Sequence, residues 1–381
     1  MEVLGLCSFP VQSAATRYRL IQYKIPLAKK GINLTVVPFL SDKEFASFYR
    51  RGKTIQKAAA VLSFAAKRFI DSFSASKFDS LLIQREAMLF GPPVFEWLNK
   101  TIGKCPLILD LDDATYIPYV SPTYGRLSSA IKFFGKTDTL IDWSETVICG
   151  NSHLADYVTG KGKKAVVIPT VVNTDKFHPI EKAAGKTPIV GWIGTHSTFP
   201  LLETLFPVLQ DLARKYDFTL KIVGAGTDEI EVEGVRVENS VWKLESEIED
   251  FQSLDIGLYP LETSGSISKE WLMGKSGFKA IQYMSIGIPF VVTPVGVCSE
   301  IGIENETHFA ASNKEQWYKS LSRLLESAAL RKKMGENGRA FALRHYTVPR
   351  QTDKIADVLR FALENFHQKT GKQFAAQKEG L

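Results

Sequence analysis

The sequence predicts an α/β protein of two domains, each a parallel sheet with helices on both faces. Three observations carry this. Short apolar runs alternate with helical or loop segments through the first half. A second series of such runs begins at Ile189. The chain has 381 residues, enough for two domains of ordinary size.

In the first half, strands are expected at Val3–Cys7, Leu34–Phe39, Leu81–Gln84, Leu107–Leu111, Thr146–Cys149 and Val166–Pro169. A helix opens at Gly150-Asn151-Ser152. The stretch His178–Pro188, with proline, glycine and charges, reads as a linker. The second series contains Ile189–Ile193, Leu220–Val223 and Phe290–Val292. Helices follow at Lys314–Glu326, Leu330–Arg344 and Pro349–Phe366. The expected division is 1–178, 186–345, and a final helix with a polar tail over 346–381. In sheets of this kind ligands sit at the carboxyl ends of the strands.

Composition narrows the class. The hydrophobic content of 45% can fill two cores. The N-terminus has no signal-peptide pattern and simply starts a strand, and no apolar run spans a bilayer. Cys7, Cys105, Cys149 and Cys298 are scattered, so reduced core thiols in a cytoplasmic protein are expected and no metal site. A net charge of +6 permits attraction to phosphates or to an anionic membrane without naming either. Phe45–Phe73 is basic and amphipathic, with Arg50, Arg51, Lys53, Lys57, Lys67 and Arg68 among Phe and aliphatic residues. It could lie on a membrane surface, or form a packed helical pair with solvated basic faces.

The stretch Met273–Gly296 is the most informative. A small loop, Gly274-Lys275-Ser276-Gly277, leads into an amphipathic helix with Phe278, Ile281, Met284 and Tyr283 inward. Gly287 is its C-terminal cap, and Phe290-Val291-Val292 is a buried parallel strand. Free N–H groups at such a helix start form an anion site. Lys275 and Lys279 at that end oppose the helix dipole unless an anion meets them.

The run Gly274-Lys275-Ser276-Gly277-Phe278-Lys279-Ala280-Ile281-Gln282-Tyr283-Met284, continued by Gly287 and Pro289, resembles a branch of the retaining glycosyltransferases of family 4. The resemblance implies the GT-B fold: two Rossmann-like domains facing a cleft, with a C-terminal helix crossing back to the first. It implies transfer of a sugar from a nucleoside diphosphate sugar, with retention at the anomeric carbon and without a metal or other cofactor. Further likenesses lie at Ile168-Pro169-Thr170-Val171, where the family has Asn-Gly in place of Thr-Val, and at Asp255-Ile256-Gly257.

By this resemblance the donor meets Gly194, Thr195, His196, Ser197 and Thr198 after the first strand of the second domain. A helix there would be capped by Ser197 or Thr198. Gly224 and Trp242 fall near the nucleoside. Gly277, Phe278, Lys279 and Gln282 belong to the same site, with Gln282 replacing the glutamate that holds the ribose. Gly274 stands where the family has a hexose-binding glutamate. The family's Arg/Lys pair is absent after the Gly194 turn, so Lys275 is the expected catalytic cation, supporting the leaving diphosphate. Lys279 could instead be structural.

On the acceptor side, Ser13, Arg17 and Arg19 follow the first strand. Arg85 and the Asp110-Leu111-Asp112-Asp113 segment follow two others. Asp112 or Asp113 could be a base for the acceptor hydroxyl, or both could pair with Arg85. The arginines could equally be surface residues.

The expected partners are a nucleoside diphosphate sugar and a glycan, lipid-linked or small-molecule acceptor, with an anionic membrane surface also open and no nucleic acid. Surface polysaccharide or glycoconjugate synthesis at the inner face of the membrane fits these. A catalytically silent nucleotide-sugar-binding or scaffolding protein is the alternative, motivated by Gly274 and the missing Arg/Lys pair. A sugar-nucleotide epimerase lacks a carboxylate and histidine set. A dehydrogenase lacks Gly-x-Gly-x-x-Gly after the first strand, where Cys7-Ser8-Phe9-Pro10 stands.

Overall fold

The computed structural model describes residues 1–48, 54–118, 131–182, 187–227, 229–262 and 268–371. Two sheets of six strands form, with orders β2-β1-β3-β4-β5-β6 and β12-β11-β10-β7-β8-β9. Every strand pair in both is parallel. The chain divides into two compact units, Met1–Ile168 with Gln351–Leu381, and Pro169–Arg350.

The first sheet contains β1 (Glu2–Cys7), β2 (Asn33–Pro38), β3 (Ser80–Gln84), β4 (Leu107–Leu111), β5 (Thr146–Cys149) and β6 (Ala165–Val167). Its central strands are buried on both faces and read as continuous apolar runs for that reason. Asn151 caps the helix Ser152–Gly160 by accepting from Leu154 N at 2.8 Å. The order in which the chain adds strands reverses between β1 and β3, so the loops after these parallel strands flank a switch point.

The second sheet contains β7 (Ile189–Ile193), β8 (Thr219–Val223), β9 (Arg236–Ser240), β10 (Ile256–Tyr259), β11 (Phe290–Val292) and β12 (Phe309–Ala310). Its switch point lies between β7 and β10. The helix Phe278–Ile286 ends at Gly287 in the left-handed conformation, as the sequence requires. It is not amphipathic, however. Residues 280–286 are all buried. The helix Ala328–His345 covers its outer side through Gly335 and Gly338, and a Cβ at Gly335 would stand 2.0 Å from Gly287 O. On the sheet side, Gly257 leaves room for the Tyr283 ring, whose hydroxyl donates to Leu258 O at 3.0 Å.

The unit boundary falls at Pro169, earlier than the linker expected at His178–Pro188. Arg339 accounts for it by donating to Thr174 O, Phe177 O and Ser285 O at 2.9, 2.7 and 2.6 Å. Gln252 Nε2 also donates to His178 O. These bonds fasten 174–178 to the second unit. The last helix, Val348–Thr370, belongs to the first unit from Gln351 onward. Lys30 and Glu145 pair there with Asp353 and Lys369. Of the expected basic region, Arg50, Arg51 and Lys53 lie outside the described residues, as do residues 263–267 and parts of the linker and the tail.

Candidate active site

In the second unit, three strand ends interlock through glycine. Gly194 N donates to Val223 O and Gly224 N to Ser240 O, both at 2.9 Å. Gly224 has φ +83°, and a Cβ there would meet Gly194 O at 2.4 Å and Trp242 Cβ at 3.3 Å. A Cβ at Gly226 would strike His196 Cβ at 2.6 Å. The turns after β7 and β8 and the residue Trp242 after β9 are thus held against one another. Gly194, Thr195, His196, Ser197, Thr198, Gly224 and Trp242 come together at the carboxyl edge of the sheet.

The hydroxyls after β7 form a cluster of their own. Thr195 Oγ1 lies 2.9 Å from Ser197 Oγ and 3.3 Å from Thr198 Oγ1. Thr195, His196 and Ser197 are exposed. Thr198 occupies the N-cap position of the helix Phe199–Glu203, but its hydroxyl turns back to Thr195 N and O. The capping expected of Ser197 or Thr198 is therefore not made.

At the helix Phe278–Ile286, Gly277 is the N-cap with φ +64°, and a Cβ would press on Val297 at 2.8 Å. Lys279 Nζ donates to Gln282 Oε1 at 3.3 Å and lies over the Phe251 ring. Gln282 is fully buried, and its Nε2 lacks a hydrogen-bond partner among the described residues. Lys275 Nζ sits 3.3 Å from the centroid of the Trp271 ring. Trp271 was not among the expected residues. The spacing of Trp271 and Lys275, one helical turn apart, is the signal that could have found it.

The first unit gathers the acceptor-side residues at the ends of β1, β3 and β4. Arg19 is buried, neither exposed nor open to a phosphate. Its Nε donates to Asp110 Oδ2 at 2.9 Å, its second amine pairs with Asp110 Oδ1, and Nη1 donates to Ile168 O at 2.6 Å. Burial alone would lower the Arg19 guanidinium, but Asp110 outweighs it and raises it. Arg19 is thus a strut between β4 and the end of β6. Arg17 folds over its own loop, donating to Val11 O and Gln12 O. Ser13, at the start of the helix Ala14–Arg19, makes no side-chain cap.

Arg85 follows β3 with φ +61°, a left-handed conformation uncommon outside glycine. Its Nε donates to Asp112 Oδ1 at 2.6 Å and its Nη2 to Asp112 Oδ2 at 2.8 Å. Gln84 Nε2 donates to the same Oδ1 at 2.8 Å. Burial raises the Asp112 carboxyl, but Arg85 outweighs this and holds it below the usual carboxylate range. A base expected at Asp112 meets this obstacle: both oxygens are engaged and the ion pair resists protonation. Asp113, 3.6 Å from Arg85 Nη2, is the more accessible of the two. Beyond it, Tyr116 stacks on Tyr157 at 3.7 Å, and Tyr157 donates to Asp138.

Residues 187–327 match the family model described as glycosyl transferases group 1. The match covers the second sheet and the loops at Gly194, Gly224 and Gly277. Solved structures of similar fold span nearly the whole chain. HepE from Anabaena in complex with UDP-glucose is 14% identical with a TM-score of 0.67, covering 95% of this chain and 100% of that one. A glycosyltransferase from Rickettsia africae is 15% identical with a TM-score of 0.66, covering 96% and 99%. The architecture is GT-B. Sucrose-phosphate synthase from Thermosynechococcus elongatus shares this GT-B fold at 13% identity and a TM-score of 0.64, covering 96% and 100%. No curated protein sequence matches the chain.

Proposed function

We propose that this protein transfers a sugar from a nucleoside diphosphate sugar to a glycan or lipid-linked acceptor, with retention and without a metal. One observation carries the reading: the glycine-locked turns at Gly194 and Gly224, with Trp242 beside them, lie inside the segment that matches the glycosyltransferase family model. The exposed hydroxyls of Thr195 and Ser197 face outward there, as diphosphate ligands would. HepE, of the same fold, holds UDP-glucose.

In this reading Lys275 leaves the Trp271 ring to meet the diphosphate, and Lys279 and the N-terminus of its helix add to the positive field. Trp242 stacks on the base. Gln282 meets the ribose, which gives its Nε2 an acceptor; since Gln282 is buried, the diol contact needs a local shift of its side chain. In the first unit Asp113, steadied by Arg85, lies toward the acceptor. Asp112 and Arg19 hold that framework in place.

The test is a thermal-shift screen of UDP-, GDP-, ADP- and dTDP-sugars in chelator, followed by determination of the product's anomeric configuration. A shift with one nucleotide names the donor class. An inverted product sinks retention, and activity that appears only with added metal sinks metal independence. No shift and no transfer with any donor would leave the silent scaffold as the better reading.

A further inference from the structure

A helix in the layer covering a sheet keeps one apolar face for the core and gives the other to water. The helix Thr54–Ser72 does otherwise. Its inward stripe is Val61, Phe64, Ala65, Arg68 and Ser72, with Arg68 donating to Val37 O and Cys7 O. A second stripe, Leu62, Ala66, Phe69, Ile70 and Phe73, follows helical spacing on an adjoining, outward side. Leu62, Phe69, Ile70 and Phe73 are 71, 50, 68 and 58% exposed, and the Phe69 and Phe73 rings meet edge to face.

The neighbouring elements extend this surface. The helix Val94–Gly103 packs alongside, with Asn99 Nδ2 donating to Ser72 Oγ at 2.8 Å, and turns Val94 and Trp97 outward. Gly91 N donates to Ile131 O at 2.9 Å, which brings the exposed Ile131 and Phe133 to the start of that helix. At its other end Trp97, Trp143, Lys100 and Lys104 line a shallow basin, and Lys100 lies over the Trp143 ring. Among the described side chains, these elements also carry Lys67, Lys77, Lys100, Lys104 and Lys132, all at least partly exposed. Asp71 is the described carboxylate on the helix Thr54–Ser72, Glu96 is buried under Ala87 N, and Asp79 and Asp142 are exposed beside Lys77 and Trp143, so lysine stays in excess. No described helix is long and apolar enough to cross a membrane.

We infer that this face of the first unit docks on an anionic lipid bilayer, with Leu62, Phe69, Ile70 and Phe73 entering the interface and the lysines meeting the headgroups. The apolar stripe and the excess of lysine together select this partner. A second copy of the chain would bring lysine against lysine, whereas anionic headgroups satisfy both features. Tryptophan flanked by lysine suits the boundary between headgroups and acyl chains. The inference stands apart from the transferase reading, because vesicle binding needs neither donor nor acceptor.

The test is flotation of the whole protein with vesicles of phosphatidylcholine alone or mixed equally with phosphatidylglycerol. Binding to the mixed vesicles is expected at about 0.1 M salt and release at about 1 M, where screening is nearly complete. Phe69→Ser with Ile70→Ser, and separately Lys67→Glu with Lys77→Glu, should each weaken binding at least about tenfold, corresponding to about 1.4 kcal/mol. Circular dichroism should be unchanged, since all four residues are exposed. Vesicles should also shift tryptophan emission to the blue, and Trp97→Phe should reduce that shift. The inference is overturned by a wild-type protein that stays unbound, by equal binding to neutral vesicles, or by a serine variant that binds undiminished. Light scattering that shows a dimer dissolved by the serine substitutions would give the face to a second copy instead.

Discussion

Lys275 Nζ rests 3.3 Å from the centre of the Trp271 ring, one turn away in sequence. A cation–π contact of this kind contributes about 0.5–2 kcal/mol, enough to hold the amine and too little to keep it from a diphosphate. Lys275→Ala should weaken nucleoside diphosphate binding by about 10–100-fold. Titration calorimetry with UDP and its counterparts measures this. An unchanged affinity removes Lys275 from the donor site.

Gln282 separates binding from stability. Among the described residues its Nε2 is buried without an acceptor, and its Oε1 accepts a long bond of 3.3 Å from Lys279 Nζ, so Gln282→Leu gives up one weak hydrogen bond together with an unsatisfied group. Melting temperature should move by less than about 4 °C, corresponding to less than about 1 kcal/mol. Donor affinity should fall, and should fall less for a nucleotide lacking a ribose hydroxyl. A variant that binds donor normally shows that the side chain only fills space.

The Arg85–Asp112 pair should show itself in acid. Asp112 is held below its unfolded value, so its contribution is present above about pH 4 and is lost as pH falls through the lower folded value. Asp112→Asn should cost roughly 2–4 kcal/mol at neutral pH, since Arg85 loses its charged partner in a part-buried site. It should also flatten the acid limb of stability. Urea melts at a series of pH values measure both.

His308 acts over a different window. Its ring stacks on Phe290, Nδ1 lies 2.9 Å from Thr307 Oγ1, and burial pushes the imidazole down to about 4. The neutral ring is the folded form, and the unfolded chain binds the extra proton. Stability from this source is complete above about pH 6.5 and declines toward pH 4, by at most about 3 kcal/mol. His308→Phe should remove that slope. The same slope in the variant would show that another group titrates.

The contact of Gly335 with Gly287 admits no side chain. Gly335→Ala, placing Cβ 2.0 Å from Gly287 O, should cost about 3 kcal/mol or more through overpacking. Gly31→Ala provides a contrast: it has φ +75° but open space around it, and should cost only about 1–2 kcal/mol. Thermal denaturation of the pair compares packing with backbone strain.

Elements whose signal is local were legible in sequence. The runs Leu107–Leu111 and Phe290–Val292 are strands as expected, because doubly buried parallel strands leave uninterrupted apolar stretches. Gly287 marked a helix end for a backbone reason that sequence expresses directly. Partnerships across the fold were not legible. Nothing near Arg19 announces that Asp110, 91 residues away, will bury it. The helix Phe278–Ile286 read as amphipathic because small and polar residues, Ala280, Gln282 and Ser285, pass for a wet face. They are buried beneath neighbouring elements. In the candidate site, the glycines at 194 and 224 were visible as turns. That they lock against each other and against Trp242 depends on strand order, which no local pattern records.

The first unit is discontinuous, formed by Met1–Ile168 and Gln351–Leu381. During synthesis, which proceeds from the N-terminus, the unit begun first is therefore the last to be finished. The segment Pro169–Arg350 emerges whole and can reach its native contacts while the earlier half still waits for Ile355, Leu359 and Leu363, which are buried in the folded chain. A ribosome stalled before residue 351 would present an open apolar surface, and a chaperone that recognises such surfaces would find its substrate there, in the oldest part of the nascent chain.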